Sequence, residues 1–126
     1  CAGAHGVVIP KRRTVGLTAI VGKASAGALE YMPVARVTNI TNAIKELKER
    51  GVWIFGTAAE GATPLYQADL KGAAAIVIGN EGDGMSRPVA ESCDLKVSIP
   101  MKGRISSLNA SAAAAILLYE AVRQRG

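Results

Sequence analysis

Short apolar, β-branched runs alternate along the chain with segments whose apolar positions recur at helical spacing. Each run is nearly continuous instead of alternating with polar residues, which indicates strands that are buried on both faces. Because strands of this kind form mostly parallel sheets with helices on both faces, the pattern predicts an α/β fold. The predicted strands cover residues 7–9, 34–37, 52–55, 74–78 and 95–99.

Two amphipathic segments predict the clearest helices. The first begins near Thr41, with Asn39 or Thr41 as its cap, and Gly51 ends it. The second runs from about residue 107 to 125 and carries a broad stripe of alanines and larger apolar side chains. Such a stripe permits close approach either to the sheet or to a second copy of the chain.

Length and composition narrow the class of protein. The chain has 126 residues, of which 49% are apolar and 20% charged, so we predict a single globular domain over residues 1–126. The longest apolar run, residues 112–118, is far shorter than the roughly 20 residues that a membrane span needs. One histidine and two cysteines, Cys1 and Cys93, offer no metal-ligand spacing. We therefore expect reduced thiols, a cytoplasmic location and no metal.

The charge balance indicates the kind of partner. Fifteen basic and ten acidic residues give a net charge of +5, which favours polyanions such as nucleic acid. Only 4% of the residues are aromatic, which argues against a protein that binds single-stranded RNA by stacking bases.

Three segments leave predicted strands at their carboxyl ends, where parallel sheets usually bind ligands. They are residues 55–61 (FGTAAEG), 78–85 (IGNEGDGM) and 99–111 (IPMKGRISSLNAS). The glycine order in the second segment is G-x-x-G-x-G, which matches neither the dinucleotide fingerprint nor a P-loop. Its acids Glu81 and Asp83 would repel a pyrophosphate, so a ligand with hydroxyls or a cationic centre fits better.

Each segment also has a purely structural interpretation. The first is compatible with a plain strand-to-helix connection, and the second with a tight turn that carries two solvated acids. In the third, Ser106 or Ser107 would cap the last helix and Asn109 would be incidental. Together, however, the three segments outline one pocket at one edge of the sheet.

Two long motifs resemble those of the SpoU family of RNA ribose 2′-O-methyltransferases. Residues 76–85 (IVIGNEGDGM) are similar to the second family motif, and residues 99–118 (IPMKGRISSLNASAAAAILL) to the third. The pairs Arg87-Pro88 and Cys93-Asp94 resemble the segment that connects them. Residues 25–28 (SAGA) and 53–57 (WIFGT) extend the similarity over essentially the whole chain.

The resemblance implies the deep trefoil-knotted α/β fold of the SPOUT class, bound S-adenosylmethionine, a homodimer and an RNA substrate. It implies catalytic or substrate-orienting roles for Glu81, Ser107 and Asn109. Cofactor contacts are implied at Thr57, Gly79, Glu81, Gly82, Ile99, Met101, Ser107 and Leu108. For the RNA we expect contacts from Lys11, Arg12, Arg13 and Arg104, which could equally be solvated surface.

One family feature has no counterpart in the sequence. The first family motif supplies an asparagine and an arginine from an opening strand and helix, and the chain begins after it. We therefore expect a truncated fold that binds cofactor without methyl transfer of its own. The closest resemblance is to the branch that methylates a guanosine of large-subunit ribosomal RNA, and a tRNA ribose is the alternative. A non-catalytic RNA-binding module remains open, whereas the glycine order disfavours a nucleotide-binding oxidoreductase.

Overall fold

The computed structural model describes residues 1–11, 30–58, 62–79, 84–105 and 107–126. Within these ranges the chain forms two compact units: Cys1 with Gly3–Ala43, and Ala2 with Ile44–Gly126. In chain order the elements are β1 (Val7–Pro10), β2 (Val34–Val37), α1 (Ile40–Glu49), β3 (Trp53–Thr57), β4 (Thr63–Pro64), a 3₁₀ helix (Leu65–Gln67), β5 (Ala74–Val77), α2 (Arg87–Ser92), β6 (Leu95–Ser98) and α3 (Ala110–Arg125).

The first unit contains a parallel pair of strands. β1 pairs with β2 so that Val7 lies opposite Val34, and the ladder continues to Pro10 opposite Val37. Backbone hydrogen bonds extend this pairing on both sides, from the Val7 amide to the Pro33 carbonyl (2.9 Å) and from the Lys11 amide to the Val37 carbonyl (2.8 Å). Both strands lie where the apolar runs predict them.

Helix α1 has the ends that its sequence predicts. The Asn39 side chain accepts a hydrogen bond from the Asn42 amide at 3.1 Å, which makes Asn39 the cap. At the other end Gly51 has a φ of +84°. The Gly51 amide donates to Lys48 O and the Val52 amide to Leu47 O, each at 3.0 Å, which is the Schellman arrangement of a glycine-terminated helix.

The second unit is built on a four-stranded sheet in the order β4-β6-β3-β5, and all of its pairs are parallel. The mixed α/β class with parallel sheets is thereby confirmed. Among the described residues, a hydrophobic core forms on one face of this sheet, between the strands, the 3₁₀ helix and α3. Its buried members are Phe55, Leu65, Ala68, Leu70, Val97 and Leu117. Ile54 is also fully buried, and strand alternation directs it to the opposite face.

The last turns of α3 hold the segment that leads into β5. The Gln124 side chain accepts from the Leu70 amide (2.7 Å) and donates to the Ala68 carbonyl (2.8 Å). Arg125 donates to the carbonyls of Leu70 (3.0 Å) and Gly72 (2.6 Å). This polar clamp, formed by Gln124 and Arg125 on residues 68–72, fixes the direction of α3 relative to the sheet.

A buried carboxylate supports the clamp. Glu120 accepts two hydrogen bonds from Arg123, at 2.7 and 2.9 Å, and one from Gln124 at 2.9 Å. These bonds, first those from Arg123 and then that from Gln124, lower the pKa of the Glu120 carboxyl from 4.5 to about 2. Glu120 is therefore ionised at neutral pH although its side chain is only 3% exposed.

The structure corrects two sequence predictions at the last helix. α3 begins at Ala110 instead of near residue 107. Its cap is Asn109, whose side chain accepts from the Ala112 amide at 2.7 Å, and not Ser107. Ser106 lies outside the described residues. Within the described ranges, no helix combines the length and the apolar character that crossing a bilayer requires.

Candidate cofactor site

The carboxyl ends of β3, β5 and β6 meet at one edge of the four-stranded sheet. β3 lies between the other two, with Gly56 opposite Val77 and Thr57 opposite Val97. The Thr57 hydroxyl donates to the Val77 carbonyl at 3.2 Å, and the Ala58 amide donates to the Val97 carbonyl at 3.0 Å. This geometry brings together three of the predicted cofactor residues, which are Thr57, Gly79 and Ile99. We call this region the carboxyl edge.

Helix α3 starts on the side of the carboxyl edge. Its C-terminal residues Gln124 and Arg125 hold residues 68–72, which precede β5 at the amino ends of the strands. A helix of 16 residues is about 24 Å long, so α3 runs back across the sheet from the carboxyl side. Ser107, Leu108 and Asn109, which directly precede it, therefore lie toward the carboxyl edge.

The segments that leave the carboxyl edge expose apolar side chains. Ile78 follows β5 and is 36% exposed, Met101 follows β6 and is 41% exposed, and Leu108 is 40% exposed. Exposed aliphatic and thioether groups beside hydroxyl and backbone polar groups are typical of a site for a partly apolar small molecule. The edge has this combination because Thr57 and Ser107 supply hydroxyls.

Position 79 must be a glycine because the backbone of residues 84 and 85 packs directly against it. A Cβ atom at this position would lie 2.6 Å from the Gly84 carbonyl carbon and 2.7 Å from the Met85 nitrogen. The atoms that approach Gly79 this closely belong to the chain's own backbone. Gly79 thus brings the two ends of the segment 79–84 into contact.

Asn109 already has a structural task as the cap of α3. Its side-chain oxygen is bound to the Ala112 amide, and among the described residues its side-chain nitrogen has no hydrogen-bond partner. That nitrogen is the group of Asn109 that could donate to a substrate. Ser107 is exposed and precedes Ala110, the first residue of α3, by three positions.

Several predicted site residues lie outside the described residues. They are Glu81 and Gly82 among the cofactor contacts, and Arg12 and Arg13 among the RNA contacts. The other two predicted RNA contacts are described: Lys11 directly follows β1, Arg104 follows β6, and both are exposed.

Two cavities of about 320 Å³ open elsewhere in the second unit. The first lies at the amino ends of β3 and β5, between Trp53 and Asp69, and the second lies beside Glu91 and Cys93. Neither is lined by a predicted site residue.

The half-buried thiol of Cys93 is not an activated nucleophile. Burial raises the pKa of the Cys93 thiol, and Lys96 opposes that effect only in part. Its Sγ donates to the Val89 carbonyl at 3.3 Å and lies 4.0 Å from Met85 Sδ. In the described part of the chain, no group of three or more metal-binding side chains comes together.

Comparison with known proteins identifies relatives along almost the whole chain. The model of the SpoU rRNA Methylase family matches residues 1–119. The chain is 54% identical over 124 residues to the 23S rRNA (guanosine-2′-O-)-methyltransferase RlmB of Shewanella oneidensis, covering 98% of this chain and 50% of that protein. It is 53% identical over 124 residues to the uncharacterized tRNA/rRNA methyltransferase slr0955 of Synechocystis, covering 98% of this chain and 32% of that protein.

A solved structure has the same fold. The SpoU methyltransferase AviRb of Streptomyces viridochromogenes, in complex with the cofactor AdoMet, superposes with a TM-score of 0.90 at 34% identity, covering 98% of this chain and 49% of that one. The chain thus spans half or less of the length of these three proteins.

Proposed function

Because the chain belongs to the SpoU rRNA Methylase family, we propose that it binds S-adenosylmethionine and serves the 2′-O-methylation of a ribose in RNA. One observation of the structure carries this proposal. The strand register brings Thr57, Gly79 and Ile99, from three separate sequence segments, to a single edge of a parallel sheet. This edge is where α/β sheets usually bind their ligands.

The residues at the carboxyl edge suit this cofactor. Ile78, Met101 and Leu108 offer apolar surface to an adenine ring and a methionine side chain. The hydroxyl of Ser107 and the backbone groups around Gly79 and Ile99 can bind the ribose hydroxyls and the amino acid group. When bound, S-adenosylmethionine supplies a methyl group on a sulfonium centre that is already activated for transfer.

We assign to the chain's own residues the task of orientation. Ser107 and the side-chain nitrogen of Asn109 would hydrogen-bond to a ribose placed near the start of α3. Glu81, together with Gly82, contributes from the glycine-rich segment to cofactor binding, as the family motif implies. A hydroxyl is a weak nucleophile near neutral pH, so its placement supplies much of the rate.

For the substrate we propose a guanosine of 23S rRNA, which is the substrate named for the RlmB relative. The joint tRNA/rRNA name of the Synechocystis relative supports a tRNA ribose as the alternative. Lys11, Arg12, Arg13 and Arg104 are the proposed phosphate contacts, in keeping with the net charge of +5. Since these RNAs are cytoplasmic in bacteria, we propose the same compartment for the reaction.

Isothermal titration tests the proposal directly. We expect saturable heat from the chain with S-adenosylmethionine and none with NAD at the same concentrations, because the glycine order does not fit a dinucleotide. Binding of NAD alone would support the oxidoreductase alternative. Retention of a ribosomal RNA fragment without any cofactor heat would instead indicate a non-catalytic RNA-binding module.

We also propose that the chain functions as a homodimer that uses α3. An apolar row lies on the exposed side of this helix, with Ala112, Ala115, Tyr119 and Val122 repeating at intervals of three and four residues, and it is flanked by exposed Ser111 and Arg123. An uncovered apolar stripe of this length is typical of an interface, and a two-fold axis would bring each copy against its mate.

Sedimentation equilibrium measures the association. We expect a mass near twice the monomer's 13.0 kDa for the native chain and near 13.0 kDa for Ala115→Glu, because the variant places a charge in the stripe. Gln67→Glu adds the same charge at an exposed position of the 3₁₀ helix and should leave the dimer intact. A native chain that sediments as a monomer at micromolar concentration contradicts the dimer.

A further inference from the structure

Met85 fills a hollow that a glycine leaves near the carboxyl end of β3. Gly56 is buried, and a Cβ atom on it would lie 2.8 Å from Met85 Cε and 2.9 Å from Met85 Sδ. The same atom would lie 2.7 Å from Cys93 Sγ. Real side chains do not approach so closely, so the absence of a side chain at position 56 is what admits both sulfurs. We call Gly56 and Cys93 the sulfur socket.

Cys93 is itself held in place. Its thiol donates to the Val89 carbonyl one turn earlier in α2, at 3.3 Å, and the Asp94 amide that follows it donates to Ile54 of β3 at 2.8 Å. The Asp94 carboxylate accepts in return from the Ile54 amide at 2.8 Å. The socket is therefore a rigid part of the sheet, and a methionine side chain is flexible enough to fit it.

The backbone of Met85 makes a second contact just beyond the neighbouring strand β5. Its nitrogen, with the preceding Gly84, lies against Gly79, where a Cβ would come within 2.7 Å of it. Gly79 follows the last residue of β5 by two positions and belongs to the proposed cofactor contacts. Met85 thus connects the carboxyl-terminal part of β3, at Gly56, through its side chain to the segment that leaves β5, at Gly79, through its backbone.

From this double contact we infer that Met85 is a positioning residue for cofactor binding. Its side chain, fixed in the sulfur socket, holds Gly84 and Met85 against Gly79 and so keeps the carboxyl edge in its binding geometry before the cofactor arrives. The inference rests on the proposed function, because it concerns the same cofactor site. It differs from a role in core packing alone, in which Met85 would affect stability but not affinity.

Three variants and one control separate these roles, all in a Cys1→Ser background so that Cys93 is the only thiol. Met85→Ala empties the socket, Met85→Leu refills it with a side chain of similar volume, and Gly56→Ala pushes Met85 out. Leu65→Ala is the control. Leu65 is fully buried in the core formed with α3, and this core includes neither Met85 nor the sulfur socket. Thermal melts, the rate of Cys93 labelling by a maleimide and titration with S-adenosylmethionine are measured for each.

We expect Met85→Ala and Gly56→Ala to bind S-adenosylmethionine about tenfold more weakly, because the freed backbone must then be ordered on binding. Cys93 should be labelled faster in Met85→Ala. Met85→Leu should restore the affinity to within about threefold of the native value, since its volume is conserved. Leu65→Ala should lower the melting temperature but leave the affinity of the folded protein unchanged.

The outcomes distinguish the inference from the proposed function. If the native chain does not bind S-adenosylmethionine, the proposed function fails, and the positioning role with it. If the native chain binds, but Met85→Ala and Gly56→Ala bind equally well while Cys93 labelling accelerates, the proposed function stands and Met85 only fills the core. A Met85→Leu affinity as weak as that of Met85→Ala also overturns the inference.

Discussion

Replacement of Gly79 by valine is expected to abolish measurable binding of S-adenosylmethionine. A Cβ at this position would lie 2.6 Å from the Gly84 carbonyl carbon, whereas carbon atoms pack best at about 3.5–4.0 Å. The obstructing atoms are backbone and cannot rotate away, so Gly84 and Met85 must move as a unit. Isothermal titration of the Gly79→Val protein should therefore show no cofactor heat at concentrations that saturate the native chain.

The same overlap also affects stability. Overpacking of this kind costs about 1–3 kcal/mol, so the melting temperature should fall while the protein still folds. Gly72→Val is the matched control, because no atom lies within 4 Å of a Cβ at that position. It should bind cofactor like the native chain. Native affinity in the Gly79→Val protein would contradict the assignment of the carboxyl edge.

Acid is expected to destabilise the protein through Glu120. The pKa of this carboxyl is lowered from 4.5 to about 2 in the folded state, so the folded protein holds the ionised form more strongly than the unfolded chain does. Its contribution to stability is therefore complete above about pH 4.5 and is lost as the pH falls through about 2. The melting temperature should decrease across this window.

The Glu120→Gln variant isolates this contribution. It should melt well below the native protein at pH 7, because it weakens the hydrogen bonds that hold Arg123 and Gln124, and the difference should shrink as the pH approaches 2. Glu91→Gln removes a comparable pair with Arg87, but the Glu91 side chain is 64% exposed, so it should change little at any pH. A native-to-Glu120→Gln difference that stays constant with pH would show that the carboxylate's charge is unimportant.

The carboxyl edge could be predicted from the sequence because it depends on local signals. Apolar runs locate the strands, and in a parallel sheet the residues that follow them, such as Thr57 and Gly79, gather on one side. β4 and α2 were not predicted, because elements of two and six residues are too short to show a period. The 3₁₀ helix at Leu65–Gln67 was missed for the same reason.

Other features depend on tertiary packing. Three polar residues before α3 could each have capped it, and only the register of the helix selects Asn109. Gln124 hydrogen-bonds to Leu70, 54 residues away in the sequence. Met85 occupies the hollow at Gly56, and nothing in the sequence around Gly56 indicates which side chain fills it. The available hint of the clamp was an acid followed by two arginines within five positions, Glu120 in the sequence EAVRQR. The trefoil knot and the single-domain organisation stay predictions.

Trp53 stands at the first position of β3, beside the cavity at the amino ends of the strands, and is 59% exposed. It is the chain's one tryptophan, and four residue-to-residue steps of extended strand place it about 13 Å from Thr57. Its fluorescence is therefore that of a largely hydrated indole in the folded protein, with little further red shift on unfolding. The same distance keeps the indole out of contact with a cofactor at the carboxyl edge, so emission is a poor signal for both folding and ligand binding.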